Sequence, residues 1–224
     1  MISLTNVIPH ADKPRAEWVR LAAVFDCYPN DAYFWEQDGG RAYLCSLDGN
    51  MTIYNVSADI SELAEFIDVI APQSIFTDKQ TLLALNKEPI ESAFVMCKNA
   101  CDMGEIPSDG YNSSKVFDIF LRSGLNVPEY DYFAVDFCRR INHGFAKCFF
   151  KTDECAAFSV HSGDFALIQG IASLKKGMGS IALKAILQRN YGRDVLACCE
   201  SGVRGFYEKN GFRELYETAF WVKK

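Results

Sequence analysis

Apolar positions recur at helical spacing at Trp18, Leu21, Ala22 and Phe25 behind Pro14, and they predict a helix over 14–25. Strand-like runs at 41–46 and 51–56 flank Asp48-Gly49-Asn50 and predict a hairpin. Leu63, Phe66, Ile67 and Ile70 mark a second helix, capped by Asp59 or Ser57 and stopped by Pro72. A short strand at 74–77 follows, then a helix opened by Asp78 and running through Leu85, then a strand at 89–97. Residues 99–112 contain Gly104, Pro107, Gly110 and Asn112; they read as a loop and as a domain boundary.

Beyond that boundary, Ser113 or Ser114 caps a helix through Leu121, closed by Gly124. Tyr132–Phe137 reads as a strand or strand entry. Runs at 144–151 and 155–160 flank Thr152-Asp153-Glu154 as a hairpin would, and Asp164–Ala172 is an apolar strand. A loop over 173–180 leads into a helix ending at Arg189. A strand at 194–199, a helix at 202–209 with Asn210-Gly211 as its C-terminal pair, and a last strand at 220–222 complete the chain. The pattern implies an α+β protein with a mixed, twisted sheet and flanking helices. It divides into an N-terminal α/β lobe over 1–112 and a second domain over 113–224. Elements near 113–137 are expected to complete the second domain, since the region from Tyr130 has too few strands to close its sheet.

Composition narrows the function classes. A chain of 224 residues buries roughly 70% of its unfolded surface, so its core needs no disulfide or metal. Apolar content of 49% and aromatic content of 13% exclude a disordered tail protein. The net charge of −6 argues against broad nucleic-acid binding. No apolar run approaches the ~20 residues of a membrane span, so no membrane association is expected. The start lacks a charged region followed by an apolar stretch, so no signal peptide is expected. Nine cysteines without a C-x-x-C pair read as reduced, mostly structural thiols of a cytoplasmic protein. With three histidines, none spaced with the cysteines as a ligand set, no metal is expected. Residues 1–112 carry 17 acidic and 7 basic side chains, whereas 113–224 carry 12 and 16. Solvated faces explain that asymmetry, and so does an anionic ligand bound by the second half.

The candidate chemistry lies in a strand, a basic glycine-containing loop and a helix. In Lys176-Gly177-Met178-Gly179-Ser180 the glycines permit close backbone approach, and the following helix offers unpaired N–H groups to an anion. Lys175 and Lys176 add positive charge. Alone, this is also an ordinary turn. It is neither a P-loop nor the G-x-G-x-x-G dinucleotide fingerprint. Further on comes Gly205-Phe206-Tyr207-Glu208-Lys209-Asn210-Gly211-Phe212.

Together these elements resemble the GCN5-related N-acetyltransferase superfamily over about residues 130–224. Its signature is an R/Q-x-x-G-x-G/A loop followed by an F-Y-x-x-x-G-F helix. Here the loop is Leu174-Lys175-Lys176-Gly177-Met178-Gly179, with both glycines in place and Leu174 where the family has Arg or Gln. The resemblance implies an acyl-coenzyme A N-acyltransferase-like fold and the cofactor acetyl-coenzyme A. It implies cofactor contacts at Ile171, Ser173, Leu174, Lys175, Lys176, Gly177, Met178, Gly179 and Ser180. The partner it implies is a small-molecule or peptide amine; a homodimer is also admitted. The first half looks like a degenerate acetyltransferase-type lobe without a phosphate loop, and no cofactor is assigned to it.

For catalysis, the family's motif tyrosine is Tyr207, an acid for the leaving thiolate; the alternative is a packed helix tyrosine. The strand before the loop holds no carboxylate, so Glu200 ranks first as general base. His143 and His161 titrate near neutrality and follow it, or are surface or satisfied histidines. Asp136, Arg139, Arg140 and Asn142 line a cleft or form an exposed turn with an ion pair. Ser201, Lys184 and Arg189 are cofactor contacts or, for the last two, a solvated helix face. Cys198 and Cys199 lie where the pantetheine arm would pass. The expected activity is acetyl transfer to an amine by direct attack. The rivals are a non-catalytic acyl-coenzyme A sensor and a structural domain that has lost the cofactor.

Overall fold

The computed structural model describes residues 1–102 and 104–223. In chain order the elements are β1 (Ile2–Leu4), α1 (Ala16–Cys27), β2 (Tyr33–Gln37), β3 (Ala42–Leu47), β4 (Asn50–Asn55), α2 (Ile60–Ile70), β5 (Ser74–Asp78), α3 (Lys79–Ala84) and β6 (Glu91–Asn99). Then follow α4 (Ser113–Arg122), α5 (Tyr130–Asn142), β7 (Ala146–Lys151), β8 (Cys155–Ser162), β9 (Phe165–Ser173), α6 (Met178–Arg189), β10 (Asp194–Cys199), α7 (Ser201–Lys209) and β11 (Arg213–Val222). The chain forms two compact units, Met1–Cys97 with Cys198–Lys224, and Lys98–Ala197. The expected division at 112/113 differs from this one, because the C-terminal 27 residues belong to the first unit.

In the first unit the strand order is β1-β2-β3-β4-β5-β11-β6. The β3–β4 hairpin turns through Asp48 (φ 51°) and Gly49 (φ 76°), the pair of left-handed residues that suits a two-residue turn. Helix α2 begins at Asp59, whose carboxylate accepts the N–H groups of Ser61 and Glu62. Leu63 and Ile67 of α2 and Leu82 of α3 pack with Leu44, Met51, Ile53, Ile75 and Ala219 as one core. Helix α1 packs on β3, β4 and β5. The parallel β4–β5 ladder ends at Thr52–Phe76. Beyond it the strands are tied through side chains. Asn55 Nδ2 donates to Thr81 Oγ1 at 2.7 Å, and Thr81 Oγ1 donates to Asp78 at 2.6 Å. Asn55 Oδ1 accepts the Ala58 N–H at 2.8 Å. The last strand, expected at 220–222, runs from Arg213 and pairs antiparallel with both β5 and β6. A register shift between Glu214 and Tyr216 interrupts the alternation that would have signalled its length.

In the second unit the order is β10-β9-β8-β7, with β9–β10 parallel and the others antiparallel. Helix α6 packs on β7, β8 and β9; α4 packs on β8 and β9, and α5 on β7. The segment 132–137, expected as a strand, is part of helix α5. Its aromatic composition favours a strand, but Phe133 and Phe137 are four apart and share one face. Phe133 stacks on Phe137, which meets the Phe158 ring at 4.8 Å. Tyr132 and Val135 are exposed. Asp136 and Arg140 form an i,i+4 ion pair at 2.7 Å. No strand from 113–137 joins the sheet, which ends at β7; the segment instead contributes α4 and the start of α5. The cap of α4 is Asn112, whose Oδ1 accepts the Lys115 N–H at 3.0 Å, and not Ser113 or Ser114.

Candidate functional site

Strand β9 sets the geometry of the second unit's loop. Phe158 pairs with Gly170 and Ser159 with Ile168, leaving Gln169 as an unopposed bulge residue. Gly170 is required by packing: a Cβ there would lie 2.9 Å from the Phe120 ring. On its other edge, the parallel ladder with β10 ends at Ile168–Ala197. From Gln169 to Ser173, through the half-buried Ile171, β9 therefore runs on without a β10 ladder partner.

The edge leads into the loop. The Leu174 N–H donates to Glu154 O at 2.7 Å, and Lys175 Nζ pairs with Glu154 at 2.9 Å. Both contacts fix the loop to the β7–β8 turn. Lys176 is exposed. Gly177 has φ +85°, a conformation that suits glycine, and nothing lies within 4 Å of where its Cβ would be. It offers no side-chain cap to α6; the Met178 N–H donates to Lys175 O at 3.2 Å, and Gly179 and Ser180 follow in the first turn with N–H groups no cap side chain has taken. An anion there meets backbone donors, the helix dipole and Lys176 together.

In the first unit, Tyr207 lies on α7 and is 4% exposed. Its ring is 5.3 Å from those of Phe206 and Phe212, which the turn at Asn210-Gly211 brings back onto it. Burial, and then the neighbouring Cys199 and Cys198, push its phenol well above the usual value, so it stays protonated. Glu200 precedes α7, and its carbonyl accepts the N–H groups of Val203 and Arg204 while its side chain is exposed. Arg204 pairs with Glu208 and Glu214, tying α7 to β11. Ser201 is exposed. Burial pushes the thiols of Cys198 up to about 12 and Cys199 up to about 11, so neither is a ready thiolate nucleophile. All nine cysteines are free thiols.

The remaining candidates belong to the second unit. Asp136, Arg139, Arg140 and Asn142 lie on α5, which ends shortly before β7, and Asp136 and Arg140 form an ion pair. His143 closes α5 and stacks on Phe145. His161 is buried in β8, its Nδ1 without a hydrogen-bond partner among the described residues. Burial, Arg193 and Lys147 lower its pKa to about 4. Lys184 is exposed, whereas Arg189 donates to Ala185 O and covers the Phe149 ring. Among the described residues no cluster of His, Cys, Asp and Glu could hold a metal, and no helix is long and apolar enough to cross a membrane.

Sequence reasoning missed Glu17, in the first turn of α1 and 2% exposed. Its Oε2 accepts from the Tyr216 hydroxyl at 2.7 Å, which in turn accepts the Ala16 N–H at 2.8 Å. An acidic residue in a helix's first turn reads as a dipole partner, so no sequence signal distinguished it.

No family model matches this sequence, and no curated protein sequence matches it. Solved structures do. A GCN5-related N-acetyltransferase from Kribbella flavida aligns with a TM-score of 0.65 at 11% identity, over 94% of this chain and 96% of that one. A GCN5-related N-acetyltransferase from Sphaerobacter thermophilus aligns at 0.57 and 13% identity, over 99% and 95%. A tandem GNAT protein from the clavulanic acid biosynthesis pathway aligns at 0.56 and 12% identity, over 95% and 90%. At such identities the likeness is one of fold. This chain has the GCN5-related N-acetyltransferase fold.

Proposed function

We propose that this chain, built on the GCN5-related N-acetyltransferase fold, moves an acetyl group from acetyl-coenzyme A to an amine by direct attack. The observation that carries the reading is the run of β9 past its ladder with β10 into the Gly177 loop. A free strand edge suits the amides of a pantetheine arm, and an open helix N-terminus suits a diphosphate. Leu174 at the family's polar position removes one side chain but no backbone N–H, so the cradle fits the coenzyme. Ile171 and Ser173 offer edge groups, Leu174 to Ser180 the loop, and Lys175 and Lys176 the charge, with Lys175 partly engaged by Glu154. When bound, acetyl-coenzyme A supplies a thioester that an amine can attack directly.

The chain's own residues then position the reactants and hold protons. Tyr207, the tyrosine of the motif, serves in this reading as the acid for the departing thiolate, and burial makes its phenol a weaker donor than a free one. A proton acceptor for the amine is also needed, and Glu200, the exposed carboxylate that follows β10, is the candidate. The acidic first half suits a cationic acceptor. The burial of Tyr207 favours a second reading, a coenzyme-binding module without turnover. The experiment is an acetyl-transfer screen with spermidine, kanamycin and a lysine peptide, read by mass. Acetylated product is expected. Coenzyme binding without product would favour the second reading, and no coenzyme binding would overturn both.

A further inference from the structure

Helix α5 buries one face and leaves the opposite one open. Phe133 and Phe137 are buried and meet the rings of Phe120 and Phe158. On the other side of the helix Tyr132 is 71% exposed and Val135 66% exposed. At about 100° per residue, Asp131, Tyr132, Val135, Arg139 and Asn142 fall on one stripe. Exposed helix positions are best filled by straight-chain residues. Tyrosine and valine there lose rotamer freedom and bury nothing within this chain. Isolated apolar side chains on a surface are ordinary. These two are neighbours at i,i+3, and they sit between ends of opposite charge.

The acidic end holds Glu129 and Asp131, both exposed, and the Glu129 side chain caps nothing. The basic end holds the half-buried Arg139 and, just past the last turn, the exposed His143. The helix dipole accounts for charges at the two ends. It does not account for the apolar pair between them. That pair and those charges together match a second α5 laid antiparallel on the first. With Val135 on a two-fold axis, Asp131 and Arg139 are equally far from the axis, so each faces the other on the second copy. Glu129 then comes near His143 of the second copy, which can donate to it, and Tyr132 falls beside Val135 and Arg139 of the second copy. A parallel arrangement would set Asp131 on Asp131 and Arg139 on Arg139, so charge selects the antiparallel one.

We propose that the outer face of α5 is a self-docking surface, on which a second copy of this chain packs antiparallel about a two-fold axis at Val135. The inference is independent of the acetyl-transfer reading. A helix of 13 residues is about 20 Å long, so one helix pair lies at the small end of protein interfaces. The dimer is therefore weak and depends on concentration.

The test is sedimentation equilibrium of the full chain from about 10 µM to about 1 mM, across which the wild type should pass from monomer toward dimer. Val135→Glu and Val135→Lys each set two like charges on the axis and should weaken association at least about tenfold. Mixed in equal amounts, these two variants should associate again, because opposite charges then meet there. Asp131→Arg and Arg139→Asp should each weaken association, and the double exchange should restore it. Tyr132→Gln, which adds no charge, should also weaken it. Val135 and Tyr132 are exposed in the single chain, so their variants should keep the wild-type melting temperature at about 10 µM, which separates lost docking from lost folding. A wild type that stays monomeric at about 1 mM would overturn the inference and leave the face to another kind of partner. Wild-type dimerisation in the Val135 and Tyr132 variants would place the contact elsewhere. Failure of the mixed Val135 variants to associate would remove the two-fold axis, and the inference with it.

Discussion

Mild acid should act on the two units in opposite directions. His161 has a folded pKa near 4 against 6.5 for the free side chain. The unfolded chain therefore binds the extra proton between those values, and stability falls as pH drops from 6.5 to 4. At 1.36 kcal/mol per unit, a shift of about 2.5 units amounts to at most about 3 kcal/mol, concentrated in the second unit. Glu17 has the opposite sign. Its folded pKa is near 7 against 4.5, so the folded state binds the proton and the first unit gains stability as pH falls from 7 to 4.5, by at most about 3 kcal/mol. The two nearly cancel in the whole chain, and single substitutions uncover them. The assay is urea unfolding of the full chain at half-unit steps from pH 4 to 8, for the wild type and His161→Gln. The difference in midpoint should narrow or reverse in favour of His161→Gln as pH falls below 6. A constant difference across the range would mean that the imidazole titrates normally and that Arg193, Lys147 and burial do not hold it neutral.

Three further outcomes follow from the loop, the motif and the bulge. Gly179→Asp places a carboxylate at the opening of α6 and should weaken acetyl-coenzyme A binding at least about tenfold by calorimetry; equal binding would remove the loop from the site. Tyr207→Phe should lower the transfer rate by about 10²–10⁴-fold, less if water substitutes, with coenzyme affinity intact and stability moved by less than about 1 kcal/mol; an unchanged rate would leave it a packing residue. Gly170→Ala drives a methyl into the Phe120 ring and should destabilise the chain by about 1–3 kcal/mol in a thermal melt; no change would mean that α4 shifts freely.

The legible parts of the chain are those that local chemistry decides. Asp48-Gly49 announces its hairpin because few other residues accept the left-handed pair, and Asp59 and Asp78 announce their helices by capping them. The loop at Gly177 is legible for the same reason. What escaped depends on distant partners. Residues 132–137 carry strand-forming aromatics, yet the rings of Phe117, Phe120 and Phe158 reward a helical spacing no local rule could see. The insertion of β11 between β5 and β6 pairs residues more than a hundred positions apart. The bulge at Gln169 was not read from the sequence, which showed only an apolar strand there. Glu17 was invisible because its meaning comes from Tyr216, 199 positions away.

The side-chain tie at the end of β4 bears on stoichiometry. Strands β4 and β5 and helix α2 repeat the parallel strand–helix–strand of β9, α6 and β10. In the repeat, Asn55, Thr81 and Asp78 fill the place where the strands part, and α2 already holds an anion of its own, the Asp59 carboxylate on its first-turn N–H groups. A diphosphate arriving there would have to displace a tethered competitor whose effective concentration no free ligand matches. On the proposed reading only the Gly177 loop takes the coenzyme, and a saturating titration should count one per chain.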